Sequence, residues 1–491
     1  MLAPSGCAPR LRPPVAPSLS KGYRAMARIR FPEHFRWGAS TAAYSIEGAW
    51  KERGRSIWDT FCRVPGTIRD GATGDVACDS FRRHRDDVAL LRHMNLTSYR
   101  FAISWPRVQP RGRGDVLSAG LDYYARLVDD LLDAGIRPLP TLYHWDLPQA
   151  LESRGGWPER DTAGRFADYA DLVARELSDR VSDWLLFNEP LVFTAFGYML
   201  GLHAPGRRSA DDFLRATHTV NLAQGMGFEA IRSTAPNARI GSAFSMSPCE
   251  PLGDSREDAE AAVRWHGLVN DWFTLPALEG RYPAVFDGGV PEQRMGVREG
   301  DMKIVRAPLD FIGVNVQTRT RVAALPHPAS QTDPNASASS AGDVGAHDAL
   351  GLAASPVHSP DAPLTDLEWE VWPEAIYQTL MRLTKDFDTP VIEVIENGCA
   401  YRDAPDENGL VQDRRRADFH RDYLIAVARA IEAGADVRGY HVRSLLDGFE
   451  WAEGYSARFG LAWVDFETGD RTLKESGRWY GEVAASNGFQ S

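Results

Sequence analysis

The sequence predicts an α/β fold, a single (β/α)8 TIM barrel with long loops after its strands. Three observations predict it. Short apolar runs of strand length alternate with helical segments, the pattern of parallel strands joined by crossovers. There are eight such runs, the number that closes a barrel. Polar residues gather at the carboxyl ends of the runs, where a barrel builds its active site: Arg100, His144, Asn188, Glu189, Asn315 and Glu396.

Residues 1–28 are rich in Pro, Ser, Ala and Arg, and prolines 4, 9, 13, 14 and 17 interrupt the apolar core that a secretory signal needs. We expect a disordered extension here, with a transit peptide as the lesser reading of its basic, acid-free composition and Met26 as an alternative start. One barrel domain then spans 29–486. The first strand, 36–42, is made of small residues and leads into a loop with Ser45. A helix over 80–94 precedes the second strand, 97–103, which carries an inward Arg100. The helix over 121–134 is closed by Gly135, a good C-terminal cap. The third strand, 137–143, delivers His144 and Trp145. After a helix over 165–177, the fourth strand starts at Asp183 and ends in Asn188, Glu189 and a helix-hostile Pro190.

A helix over 217–233 leads to the fifth strand, 238–244, and the sixth, 309–316, bears Asn315. Residues 323–363 have little periodicity and read as one long loop. The acidic and aromatic stretch 366–372 reads as a helix start that packs this loop. A helix over 374–385 precedes the seventh strand, which starts at Val391 and ends in Glu396. Glu393 has the opposite parity to Glu396 in that strand, so it is expected to face the helix layer. A last helix, 419–433, and the eighth strand, 437–444, complete the barrel, with His441 and Arg443 on one strand face.

Composition narrows the function. A net charge of −12 lacks the basic footprint of a nucleic-acid partner. The five cysteines are scattered without CxxC spacing or a histidine cluster, so neither a disulfide framework nor a metal site is expected, and a reducing, cytoplasmic setting is the simpler reading. No apolar run approaches the roughly 18–20 residues of a membrane span.

Charge at the end of a buried strand has to be paired or functional. Two strand-end glutamates, Glu189 and Glu396, therefore suggest a carboxylate pair. Two carboxyls at short range cannot both ionise comfortably, so one stays protonated near neutral pH. One acid and one carboxylate is what glycosidic cleavage requires: about 5–5.5 Å between them for retention, about 6.5–9.5 Å for inversion. Other barrel enzymes of acid/base chemistry fit the same pair.

More specific pieces surround the two glutamates. They include Phe31-Pro32-Glu33-His34-Phe35-Arg36-Trp37-Gly38, Ile46-Glu47-Gly48-Ala49, Ser56-Ile57-Trp58-Asp59-Thr60-Phe61 and Tyr99-Arg100-Phe101. Further on come Tyr143-His144-Trp145-Asp146-Leu147-Pro148, Phe187-Asn188-Glu189-Pro190, Glu396-Asn397-Gly398 and Phe449-Glu450-Trp451-Ala452-Glu453-Gly454-Tyr455. Through these pieces the chain resembles the family 1 β-glycosidases, retaining glycoside hydrolases of the β-glucosidase type, from about residue 31 to 483. The resemblance implies retention of anomeric configuration without metal or cofactor. It implies Glu189 as general acid/base, Glu396 as nucleophile and Arg100 as the cation that keeps Glu396 ionised. It also implies that His144, Asn188, Glu450 and Trp451 bind sugar hydroxyls and that Trp145 shapes the pocket wall. The expected partner is a small β-glycoside or oligosaccharide. The resemblance sets no oligomeric state.

Three positions depart from the pattern inside that pocket. Ser45 stands where the family usually has a glutamine that grips two hydroxyls. Val316 and Gln317 follow Asn315 in place of two tyrosines. Arg443 replaces a tryptophan that floors the sugar. Leu186, Ile395 and Gly448 are smaller changes. An arginine suits an anionic or modified sugar; the simpler reading is that Arg443 pairs with a local carboxylate such as Glu450. The same residues also fit a transglycosidase, and the departures fit a non-catalytic carbohydrate-binding relative. A 6-phosphosugar is disfavoured, because Glu450 and Trp451 are kept and Ala457 stands where a lysine would be sought.

Overall fold

The computed structural model describes residues 28–325, 350–387 and 391–490. The expected extension over 1–28 lies outside them, apart from Arg28. Eight strands run in parallel and close on themselves in chain order. They are β1 (Arg36–Ser40), β2 (Ser98–Ala102), β3 (Arg137–Tyr143), β4 (Asp183–Asn188), β5 (Arg239–Ser245), β6 (Phe311–Asn315), β7 (Val391–Asn397) and β8 (Val437–Arg443). Helices wrap the outside. Arg28–Arg30 pairs antiparallel with Gly488–Gln490 and joins the two ends of the described chain.

The helices form where apolar spacing meets a cap. In Ser118–Asp133, Leu121, Tyr124, Leu127, Val128 and Leu131 are buried at three- and four-residue spacing, one stripe against the barrel. Gly135 (φ 74°) ends the helix in the left-handed conformation, with Ile136 N donating back to Leu131 O at 2.8 Å. The helix expected to start at 217 starts at Ala210 instead. Ser209 caps it by accepting from Asp212 N at 3.1 Å, and the polar first turns gave no periodic signal.

The barrel interior is filled in layers, as small barrels require. An apolar layer of Leu139, Leu185, Ala243, Phe311 and Ile395 is fully enclosed. His441 lies within the barrel too, bonded to Ser98 Oγ at 2.9 Å. A Cβ at Gly38 would stand 2.2 Å from the His441 ring, so glycine is what lets that ring in. At the amino end Arg36, Arg137, Asp183, Arg239 and Glu393 form an ionic floor.

Two expectations are corrected here. Glu393 does not face the helices. Its carboxylate pairs with Arg36 of β1 and lies 3.8 Å from Arg239 of β5, and neither strand is a neighbour of β7, so the contacts cross the interior. The register of β7 on β6 slips between Val394 and Glu396. This bulge inserts one residue and reverses parity, so both Glu393 and Glu396 point inward. The segment 323–363 is also not a plain loop where it is described. Thr320–Ala324 pairs with Cys249–Pro251 and with Ala354–Pro356 in a small sheet beside the barrel. These three- to five-residue strands are too short for a period to show. Residues 326–349 lie outside the described residues.

Removing Glu393 leaves three arginines facing each other with Asp183 alone. Glu393→Ala is therefore expected to lower stability by about 3 kcal/mol, the low end for a broken buried pair because the arginines keep some contact with water. A urea midpoint unchanged from the parent would rule out this role for the floor.

Candidate active site

The carboxyl ends of the strands converge on a polar pocket. Glu189 ends β4, and Pro190 at the first helical position turns the chain into the short helix Pro190–Thr194. Glu189 takes a left-handed backbone (φ 47°), as do Trp145 (φ 74°) and Trp451 (φ 51°). Non-glycine residues held this way store strain of order 1–3 kcal/mol each, and such strain clusters at functional sites.

Of the expected residues, Ser45, His144, Trp145, Glu189, Glu396, Arg443, Glu450 and Trp451 line the pocket. Arg100, Asn188 and Asn315 stand behind the glutamates. Gln317 lies apart, in the cleft next to this pocket. Its Nε2 donates to the Glu396 backbone carbonyl at 3.4 Å and its Oε1 accepts from Gly398 N at 2.8 Å. It thus braces the chain after the β7 bulge and does not reach into the sugar pocket.

The two glutamates have different surroundings. Glu396 is clasped by the fully buried Arg100, whose Nε also donates to Thr141 Oγ1 at 2.7 Å, and Arg443 Nε lies 3.9 Å away. Among the described residues, no cation is in ion-pair contact with Glu189. Asn315 Nδ2 donates to its Oε1 at 2.8 Å. Burial and the nearby Glu396 carboxylate push the Glu189 carboxyl up to about 7.

A relay of amides fixes the histidine. Asn315 Nδ2 also donates to Asn188 Oδ1 at 3.1 Å, which leaves Asn188 Nδ2 to donate to His144 Nε2 at 2.9 Å. The proton of the neutral ring therefore sits on Nδ1. Burial, with Arg100 and Arg443 nearby, holds His144 well below the usual histidine range. Among the described residues, His144 Nδ1 and Arg100 Nη2 have no hydrogen-bond partner.

Arg443 pairs directly with Glu450 and lies over the Phe459 ring, 4.4 Å from its centroid. The simpler of the two expectations for Arg443, a local carboxylate partner, is the one observed. Trp451 packs on Trp145 (4.4 Å between ring centroids) and on Trp58 (4.8 Å), so Trp58 backs the pocket wall. Phe459 and Thr41 in the lining were not expected. Phe459 stands in an irregular stretch with no motif, and Thr41 is one small polar residue after a strand. Among the described residues, no cluster of three or more His, Cys, Asp or Glu side chains could hold a metal, and no helix is long and apolar enough to cross a membrane.

The profile described as "Glycosyl hydrolase family 1" matches residues 27–489, nearly the whole chain. The chain belongs to glycosyl hydrolase family 1. This hydrolase is 40% identical over 470 residues to β-glucosidase A of Acetivibrio thermocellus, covering 94% of this chain and all of that protein. It is 42% identical to the thermostable β-glucosidase B of Thermobispora bispora, over 95% of this chain and 93% of the relative. Among solved structures, the family 1 β-glucosidase of Thermotoga maritima superposes with a TM-score of 0.85 at 37% identity, covering 94% of this chain and 100% of its own. The same enzyme has been solved in complex with glucoimidazole, with the same TM-score.

Proposed function

We propose that this glycoside hydrolase cleaves terminal β-D-glucosidic bonds with retention, Glu396 attacking the anomeric carbon and Glu189 handling the proton. The observation that carries the assignment is the asymmetry of the pair. Glu396 is ion-paired with Arg100, whereas Glu189 is buried with an amide partner and pushed up to about 7, so it keeps a proton to give. In the first step the Glu396 oxygen bonds to the anomeric carbon as the glycosidic bond breaks, and Glu189 transfers its proton to the leaving oxygen. In the second step Glu189, now ionised, takes a proton from water, which displaces Glu396 and regenerates both groups. His144, a lining residue whose Nδ1 has no hydrogen-bond partner among the described residues, supplies a donor for a ring hydroxyl. Asn188, Asn315 and Gln317 act as positioning residues.

An anionic ring is disfavoured, because Arg443, the cationic side chain among the lining residues, is already matched by Glu450, and Glu189 and Glu396 line the same pocket. Incubation with 2-deoxy-2-fluoro β-glucosides carrying a good leaving group should trap the enzyme covalently, and peptide mapping should place the label on Glu396. Label elsewhere, or faster trapping by the corresponding glucuronide, would overturn the assignment or the sugar. The four described cysteines, Cys62, Cys78, Cys249 and Cys399, are unpaired, which supports a reducing, cytoplasmic setting.

The raised Glu189 sets a pH dependence. Its protonated form is the donor, and that form disappears as pH rises through about 7. kcat/KM for an alkyl glucoside is therefore expected to fall on the alkaline side of about pH 7, tenfold per pH unit. A profile flat to pH 9 would contradict this role for Glu189.

A further inference from the structure

The catalytic pocket is the first of three cavities joined in series by shared walls. A middle cleft of about 300 Å³ shares Trp145, Glu189, Arg443, Glu450 and Trp451 with it. An outer chamber of about 290 Å³ in turn shares Val192, Phe196, Ser245, Thr318, Thr320 and Trp369 with the cleft. A leaving group bonded to a sugar at Glu189 therefore passes through the cleft and into the chamber.

The chamber wall is largely apolar, interrupted by Ser245, Thr318, Thr320, His358, Ser359 and Glu368 and by further charged groups. The turns that follow Glu189 contribute Leu191, Val192, Ala195, Phe196, Met199 and Leu200. Leu268 and Val269 close it from the far side, and Trp369 stands where chamber meets cleft. The charged groups of the lining are largely turned on each other. Arg319 is bound by Glu370 and Glu250, each at 2.8 Å, and by Asp361, and it lies 3.7 Å over Trp372. That network ties the small side sheet to the loop bearing Trp369 and so holds the chamber open as a built cavity. Among the described residues, the buried polar side-chain atoms of the lining without a protein partner are Thr318 Oγ1 and Arg321 Nε. A second sugar ring presents several hydroxyls, and burying them against this wall without partners is unfavourable. An apolar chain or ring system loses nothing there and gains from leaving water.

We propose that the leaving group this enzyme is built for is a large apolar aglycone, an alkyl or polycyclic alcohol seated in the outer chamber, and not a second sugar. The inference rests on the glycosidase reading above and adds the chemical class of the aglycone. It makes the turns at 190–200 a specificity element, fed by the same strand that carries Glu189.

The test uses a non-hydrolysable series, n-alkyl β-thioglucosides from butyl to octyl below their micelle thresholds, with binding read by calorimetry. Affinity should rise about threefold per methylene, roughly 80-fold from butyl to octyl. Val192→Gln and Phe196→Ser, both half-buried positions whose fold is checked by circular dichroism, should each flatten the slope. A flat series in the parent, or tighter binding of thiocellobiose than of octyl thioglucoside, would overturn the proposal. Turnover of an aryl glucoside is measured separately. Turnover with a flat series ends the aglycone inference alone, while a steep series without turnover supports the chamber and ends the reaction reading.

Discussion

Glu396→Ala is expected to lose on the order of 10⁵-fold or more in kcat for every glucoside, because no covalent intermediate can form without it. The loss should not depend on the leaving group. Departure of even a good leaving group still needs the attack that Glu396 makes from the opposite face of the ring. Shortening the side chain opens a space beside Arg100 and Arg443, two guanidinium groups that the carboxylate had neutralised. A small anion fits there. Azide added to the variant with an activated aryl glucoside should restore turnover and give the α-glucosyl azide, since it attacks from the face Glu396 occupied. Glu396→Gln, which keeps the shape, should stay inactive with or without azide. A β-azide product, or an alanine variant with near-parental activity, would remove Glu396 from the nucleophile's role.

Much of this site was legible in the sequence because strand ends are legible. A run such as Asp183–Asn188 that stops in a buried amide and carboxylate has no packing explanation, and the structure sets all six residues of that strand in the core. Parity was less dependable. It placed Arg100 inward correctly, with its contact to Glu396 across the barrel, and failed at Glu393, because a bulge before Glu396 shifts the count by one and leaves no mark in composition. Arg443 was visible as a departure, but its meaning lay in Glu450, seven residues on and beyond an irregular turn. The outer chamber could not be read at all. Its walls come from 190–200, 265–269, 318–321 and 356–370, and none of those stretches has a period or motif that announces a common cavity. Loops beyond the strand ends meet through tertiary packing alone, so the part of the enzyme that meets the aglycone is the part that sequence patterns describe least.

Glu189→Ala should separate the two glutamates by a different signature. Its loss is expected to track the leaving group: about 10³–10⁴-fold for an alkyl glucoside, whose departing alkoxide needs the proton, and far less in the first step for a dinitrophenyl glucoside, which leaves unaided. With the activated substrate, Glu396 still attacks but water is no longer deprotonated, so the glucosyl-enzyme should accumulate and release a burst of phenol. The alkaline limb near pH 7 should vanish with the carboxyl that causes it. Azide should again raise turnover, now as a nucleophile that needs no base, and the product should be the β-glucosyl azide, because Glu396 has already inverted the centre once. The opposite anomers from the two variants follow from which face each carboxyl serves. Identical anomers from both would mean that the asymmetry between the Arg100-bound Glu396 and the amide-bound Glu189 does not set their chemistry.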